Sequence, residues 1–146
     1  DAYLNIYGFG GEQKFLQDEI NSNNMGNHIK LMGYNENTDD LYNQASLFLF
    51  SSRSEGFGMA VLEALCHGCP VVSYNIDYGP SDMINDHHNG YLITFEDEEL
   101  FANKIISLLK DNQKRKKFSE AAYACTKLTD QFKFAQKWQE LFLKIQ

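Results

Sequence analysis

The segment Ser51–Leu65, reading SSRSEGFGMAVLEAL, holds residues whose types and spacing suit chemistry on a phosphate-bearing ligand. Gly56 and Gly58 let a ligand come close to the backbone. A helical pattern begins at Met59, directly after them. Its free N–H groups and the positive end of its dipole turn toward the same loop, which makes an anion site suited to phosphate. Two carboxylates frame that loop. Glu55 precedes the helix and can accept hydrogen bonds from hydroxyls lying beyond the phosphate. Glu63 lies about one and a half turns inside it, on a face shared with Met59, Ala60 and His67. A carboxylate there can accept two hydrogen bonds from a vicinal diol, as acidic residues do for ribose. The plain alternative is a helix with an acidic flank and one exposed glutamate. Spacing alone leaves both open.

These residues need a scaffold, and the chain alternates strand and helix signals throughout. Tyr3–Tyr7 is a β-rich run ended by Gly8-Phe9-Gly10-Gly11. Glu12–Asn23 follows helical spacing through Phe15, Leu16 and Ile20, and Ile29–Met32 is a second strand closed by Gly33. Thr38 is placed to cap a short helix through Ala45, with Asp39 and Asp40 in its first turn. Ser46–Phe50 is nearly continuous apolar sequence, as expected of a strand buried on both faces. Met59–His67 is helical and Gly68 stops it. Pro70–Tyr74 is a strand, Pro80–Ile84 a helical turn, and Asn89-Gly90 a turn before Tyr91–Ile93.

Helices then follow over Leu100–Lys110, Lys114–Leu128 (with Phe118, Ala121, Ala122 and Cys125) and Phe132–Ile145. The stripe of Phe134, Trp138, Leu141 and Phe142 on the last reads as core. The alternation predicts an α/β fold, a parallel sheet with helices on both faces and a helical C-terminal end. Such sheets bind ligands beyond the carboxyl ends of their strands, where Ser51–Leu65 falls.

Composition narrows the partners. The chain has 146 residues, 43% apolar and 14% aromatic, which predicts one domain over 1–146 with a packed core. With 13 basic against 20 acidic residues its net charge is −7, which argues against a nucleic-acid partner. No apolar run approaches the ~20 residues of a membrane span. Asp1-Ala2-Tyr3-Leu4 has no Met and no signal-peptide character, and reads as the interior of a longer protein. Three cysteines read as reduced thiols in the cytosol.

Four other motifs read as structural. Cys66-His67-Gly68-Cys69-Pro70 has redox or zinc spacing, but it closes a helix and precedes a strand, the reverse of a redox pair. Only Cys125 and scattered histidines remain as further ligands, so no metal site is expected. Gly8-Phe9-Gly10-Gly11 has Gln13 where the dinucleotide fingerprint needs its third glycine, which makes a nicotinamide reading poor. His87-His88 reads as a solvated loop, and Lys114-Arg115-Lys116-Lys117 as a wet helix face with a weak pull toward anionic lipid.

The pair Glu55-x7-Glu63, set in Ser-x-x-Glu-Gly-Phe-Gly-Met-x-x-Leu-Glu-Ala-Leu and followed by Gly68-x-Pro70-Val71-Val72, resembles the family 4 retaining glycosyltransferases of GT-B fold. The likeness is to their C-terminal, nucleotide-sugar-binding domain. It extends over nearly the whole chain, through Leu4–Gly10, Ile29–Gly33, Gly79–Ile84 and Asn89–Leu92. It implies a Rossmann-like sheet and a donor that is a nucleotide-diphosphate sugar, with UDP-glucose or UDP-N-acetylglucosamine favoured. It also implies a hydroxyl acceptor (saccharide, polyol phosphate or protein Ser/Thr), retention of configuration, and neither metal nor cofactor. Tyr74–Asp82 looks similar to enzymes that glycosylate poly(glycerol phosphate) teichoic acid or surface proteins of Gram-positive bacteria.

The resemblance also assigns roles. Glu63 would hold the ribose, Glu55 the donor sugar as the catalytic-site acid, and backbone N–H groups of Gly56, Phe57, Gly58 and Met59 the diphosphate or sugar. Met32, Gly33, Tyr34 and Asn35 would take the base. The family opens this domain with a strand, an Arg and Lys that clamp the diphosphate, and a helix. None precedes Asp1, and Arg53 is the nearest substitute. The chain is therefore expected to lack its first strand and helix, to need an N-terminal domain of the same enzyme, and to be inactive alone. Further expected partners are a second copy, through the last helix, and the inner leaflet of the plasma membrane from the cytoplasmic side. The alternative is a non-catalytic nucleotide-binding subunit of the same fold. Retention of both Glu55 and Glu63 favours the enzyme.

Overall fold

A parallel βαβ arrangement opens the chain, formed by β1 (Leu4–Tyr7), α1 (Gln13–Ser22) and β2 (Ile29–Gly33). Leu4 pairs with Ile29 and Ile6 with Leu31, and a bulge then shifts the register so that Tyr7 meets Gly33. Half-buried and exposed positions alternate along both strands, as the period of two requires of a sheet with one covered face. Ile20 of α1 is the buried hydrophobic side chain here. These elements lie in the first of two compact units, Asp1–Thr38 and Asp39–Gln146. The computed structural model describes residues 2–124 and 131–145.

The second unit begins one residue into α2 (Thr38–Gln44), and β3 (Phe48–Phe50), α3 (Met59–Cys66), β4 (Val71–Asn75), the short α4 (Pro80–Met83) and β5 (Gly90–Thr94) follow. The three strands form a parallel sheet in the order β3-β4-β5, with Phe48 opposite Val71 and Val71 opposite Gly90. Among the described residues, α5 (Glu98–Lys110), α6 (Asn112–Ala124) and α7 (Gln131–Ile145) follow. The single sheet expected from sequence is thus resolved into two parallel sheets, β1-β2 and β3-β4-β5.

β4 is the strand with two covered faces. Val71 packs with Val61, Ala64 and Leu65 of α3 and with Met83 and Ile84, whereas Val72 packs with Tyr91, Ile93, Leu108 and Phe118. Successive side chains of a strand point to opposite faces, so a doubly covered strand must be apolar at consecutive positions. The sequence expectation gave this character to Ser46–Phe50. There the strand is only Phe48–Phe50 and half-buried, because β3 lies at the edge of its sheet. Val61, Ala64, Leu65, Val71, Val72 and Leu108 are completely buried, and each of the valines and leucines contributes roughly 1.5–3 kcal/mol.

Polar groups fix the turns. Asp97 caps α5 by accepting from Leu100 N–H at 2.9 Å. Arg115 Nη1 donates to the carbonyls of Leu108 and Leu109 at the other end of α5, at 2.8 and 3.1 Å. Lys114 Nζ donates to Ser107 Oγ at 2.9 Å and lies, with Lys104, about 5 Å from the centre of the Tyr91 ring. Two of the four basic residues taken for a wet face are therefore structural, while Lys116 and Lys117 are exposed. The buried Asn89 side chain donates to Met83 O at 3.1 Å and accepts from Asn85 N–H at 2.8 Å, which closes the loop before β5.

The last helix corrects a second expectation. Phe134, Trp138, Leu141 and Phe142 are all exposed, Trp138 by 46% and Phe134 by 63%, rather than core. Their rings follow one another along α7, with 6.2 Å between the centres of Phe134 and Trp138 and 5.6 Å between Trp138 and Phe142. Amphipathic spacing specifies a face that wants cover, not the cover itself. Cys125 and Leu128 of the preceding stripe lie outside the described residues. Among those residues no helix is long and apolar enough to cross a membrane.

Candidate functional site

β3 ends at Phe50, and the chain loops through 51–58 before α3 begins at Met59. Gly58 is buried and left-handed at φ 80°, and it begins α3 without a side-chain cap. Its carbonyl accepts from Val61 N–H at 2.9 Å, closing the first turn. The loop and the start of α3 form one surface. Phe57 is 49% and Met59 56% exposed, Glu55 is half-buried, and Gly56 and Arg53 are exposed.

A second turn braces this loop from behind. Gly79 has φ 92°, and a Cβ built on it would stand 2.3 Å from the carbonyl oxygen of Phe57. Only a residue without a side chain lets the Gly79-Pro80 turn lie so close to the Phe57–Gly58 peptide. The position of the glycine loop therefore depends on Gly79, a dependence that the spacing of Ser51–Leu65 could not reveal. The Gly-Pro pair was the available signal, since proline at the first helical position commonly follows a special turn.

Glu63 lies four residues into α3, about 6 Å along the axis from Met59. It is half-buried and its carboxylate accepts a hydrogen bond from the Tyr42 hydroxyl, 3.2 Å from Oε2. Burial, reinforced by the Glu63 charge and this hydrogen bond, pushes the Tyr42 hydroxyl far above its ordinary pKa, so it stays a donor. One turn further on, His67 Nδ1 is 2.8 Å from the Glu63 carbonyl and Nε2 is 3.2 Å from Asp39 Oδ1. Tyr42 and Asp39 both come from α2; the sequence reading names Asp39 only as an acid of the first helical turn and does not single out Tyr42. Their partners lie 21 and 28 positions away, beyond the reach of a local pattern.

Glu55, Gly56, Phe57, Gly58, Met59 and Glu63 thus share one strand–loop–helix unit. Met32, Gly33, Tyr34 and Asn35 belong to the first compact unit and are described within it. Met32 and Gly33 end β2, Gly33 with φ 72°, and the Gly33 carbonyl accepts from Gly8 N–H at 2.8 Å. Tyr34 is 69% exposed with its edge against Phe9, and the Asn35 side chain accepts from Asn37 N–H at 2.8 Å.

The other candidate chemistry takes a different form. Burial pushes the Cys69 thiol up to about 12, opposite to the lowered pKa of a reactive cysteine. His87 packs its ring edge on Tyr91 and is exposed. Among the described residues no group of three or more His, Cys, Asp or Glu side chains is arranged to hold a metal.

Comparison with known proteins places this geometry in context. Residues 1–124 match the family described as glycosyl transferases group 1. The chain is 36% identical, over 138 residues, to the poly(glycerol-phosphate) alpha-glucosyltransferase of Bacillus subtilis, covering 94% of the chain and 20% of that protein. It is 32% identical to the GtfA subunit of a UDP-N-acetylglucosamine–peptide N-acetylglucosaminyltransferase of Limosilactobacillus reuteri, covering 100% of the chain and 30% of that protein. Among solved structures it superposes on a variant of S. aureus TarM bound to fondaparinux, alpha-GlcNAc-glycerol and UDP. The TM-score there is 0.90 at 30% identity, over 96% of this chain and 29% of that one. The chain spans about a fifth to a third of the length of these relatives.

Proposed function

This chain belongs to the group 1 glycosyl transferases, and we propose that it is the donor-binding part of a retaining enzyme that takes UDP-glucose or UDP-N-acetylglucosamine. The observation that carries the reading is the pairing of an uncapped helix start behind a glycine loop with a half-buried carboxylate on the same helix. N–H groups at Gly56–Met59 hold the diphosphate, Glu63 takes the ribose hydroxyls, and Glu55 contacts the sugar. In the first unit, the backbone of Met32–Asn35 is assigned to the base. The names of the relatives support the sugars: one transfers glucose to poly(glycerol phosphate), and another uses UDP-N-acetylglucosamine on peptide.

The reaction breaks the bond between the anomeric carbon and the diphosphate oxygen. It forms a bond from an acceptor hydroxyl to that carbon on the same face. The acceptor proton passes to the departing diphosphate. Catalysis then consists of positioning and of stabilising the charge that develops on the leaving group, which helix N–H groups can supply. Acceptors of the polyol-phosphate or protein hydroxyl class, worked on from the cytoplasmic side of the membrane, complete the proposal. An N-terminal domain would supply the other half of the cleft and no metal would be required.

Ligand-observed NMR with UDP, UDP-glucose, UDP-N-acetylglucosamine, GDP and NAD tests it. Saturation transfer from the protein to UDP and to one UDP-sugar is expected. Preference for NAD, or silence with every uridine nucleotide, would overturn it.

A further inference from the structure

We propose that Tyr42 is a positioning residue for the nucleotide site, holding the Glu63 carboxylate in the rotamer that receives the ribose diol. This rests on the donor reading above, and extends it to a residue outside the loop and its helix. Three observations carry it. The Tyr42 hydroxyl donates to Glu63 Oε2 at 3.2 Å. The Tyr42 ring is 9% exposed, stacked on His67 at 5.5 Å and edge-on to Phe48 at 5.5 Å. Finally, His67 brings Nδ1 to 2.8 Å from the Glu63 carbonyl and Nε2 to 3.2 Å from Asp39 Oδ1 of α2, two acceptors that share the proton of one neutral ring.

The Tyr42 hydroxyl restricts the Glu63 side chain at its carboxylate, while the main chain of Glu63 is already fixed within α3. A tyrosine hydroxyl lies on the long axis of its ring, so ring flips leave the oxygen in place, and the two flanking rings fix that axis. Asp39 and Tyr42 sit three positions apart on α2, on one face of the helix. The first faces His67, and the second holds the Glu63 side chain. A glutamate free at three torsions would lose that freedom on binding a diol, and a glutamate already held loses less. One hydroxyl occupies one of about four acceptor positions on a carboxylate, leaving Oε1 and part of Oε2 for two ribose hydroxyls.

The experiment compares UDP with 2′,3′-dideoxy-UDP by calorimetric titration of the wild-type protein, Tyr42→Phe and Glu63→Ala. Phenylalanine keeps both ring contacts and removes only the hydroxyl, and thermal unfolding of each variant reports the fold. The expected result is that Tyr42→Phe weakens UDP about fivefold to tenfold, the equivalent of one hydrogen bond. Its affinity for the dideoxy nucleotide should stay within about twofold of wild type. Glu63→Ala should weaken UDP and abolish the difference between the two nucleotides. Equal weakening of both nucleotides by Tyr42→Phe would assign the tyrosine to packing and overturn the proposal. If Glu63→Ala weakens UDP while Tyr42→Phe does not, the proposal falls and the donor reading stands. If Glu63→Ala leaves UDP binding intact, the ribose role of Glu63 falls and the proposal falls with it.

Discussion

Gly79 and Phe57 meet backbone to backbone. A Cβ on the first would stand 2.3 Å from the carbonyl oxygen of the second, and Gly79 has φ 92°, where side chains are strained. The loop that begins α3 is thus seated against a turn more than twenty positions later in the chain.

Gly79→Ala should therefore carry both backbone strain and a collision with a peptide that cannot rotate away. A loss of about 2 kcal/mol or more in urea unfolding is expected, together with weaker UDP binding from a displaced 56–58 loop. Wild-type stability and affinity in this variant would refute the brace.

Glu63→Ala removes the one carboxylate on α3. UDP affinity should fall by about 1–3 kcal/mol, the cost of leaving ribose hydroxyls and their partners unpaired. Equilibrium titration measures it, and an unchanged Kd would remove the glutamate from the site.

Cys69 should resist iodoacetamide in the folded protein at pH 8 and react fully in urea, because only thiolate is alkylated and burial holds the thiol at about 12. The same shift gives an alkaline limit. Unfolding lowers the Cys69 pKa toward its ordinary 9.0, so between that value and about 12 the native state holds a proton that the unfolded state releases. Stability is complete below pH 9.0 and declines as pH rises through this window. Tyr42, shifted in the same direction, adds to the decline. A flat stability profile across that range would contradict both shifts.

Arg115→Met should destabilise by about 1–2 kcal/mol through loss of its bonds to the carbonyls at the end of α5. Lys116→Met should fall within about 0.5 kcal/mol of wild type, since its contact with Glu120 is 4.0 Å long and solvent-exposed on both sides. Equal effects from the two would dissolve the distinction between a cap and a wet face.

The features legible from sequence were those set by neighbours in the chain. The stripe on α5, the stop at Gly68 and the helix starting after Gly58 depend on local spacing and backbone freedom, and each lies within a residue or two of its expected place. What escaped depended on distance in sequence. An apolar run such as Ser46–Phe50 does not say how many strands will flank it, so an edge strand was read as a central one. The aromatic stripe of α7 was read as core because a pattern records affinity for cover without saying what provides it. Arg115 and Lys114 looked like solvated charges until α5 and Tyr91 arrived beside them. The same holds at the site. Spacing makes Glu55 and Glu63 candidates, whereas Tyr42 and Gly79 come into view only once α2 and the 79–80 turn are folded against α3 and its loop.

The buried amide of Asn89 also bears on how this protein ages. It is followed by Gly90, the neighbour whose unhindered nitrogen most readily attacks an asparagine side chain to form a cyclic imide. In the folded chain the carboxamide is 1% exposed and held from both sides by Met83 O and Asn85 N–H, which keeps it from turning toward that nitrogen. Deamidation would replace the donor facing the Met83 carbonyl with a negatively charged acceptor. The loop that protects this bond would then be opened by the product of its cleavage, so that chemical lifetime and conformational stability become one property at this corner of the fold.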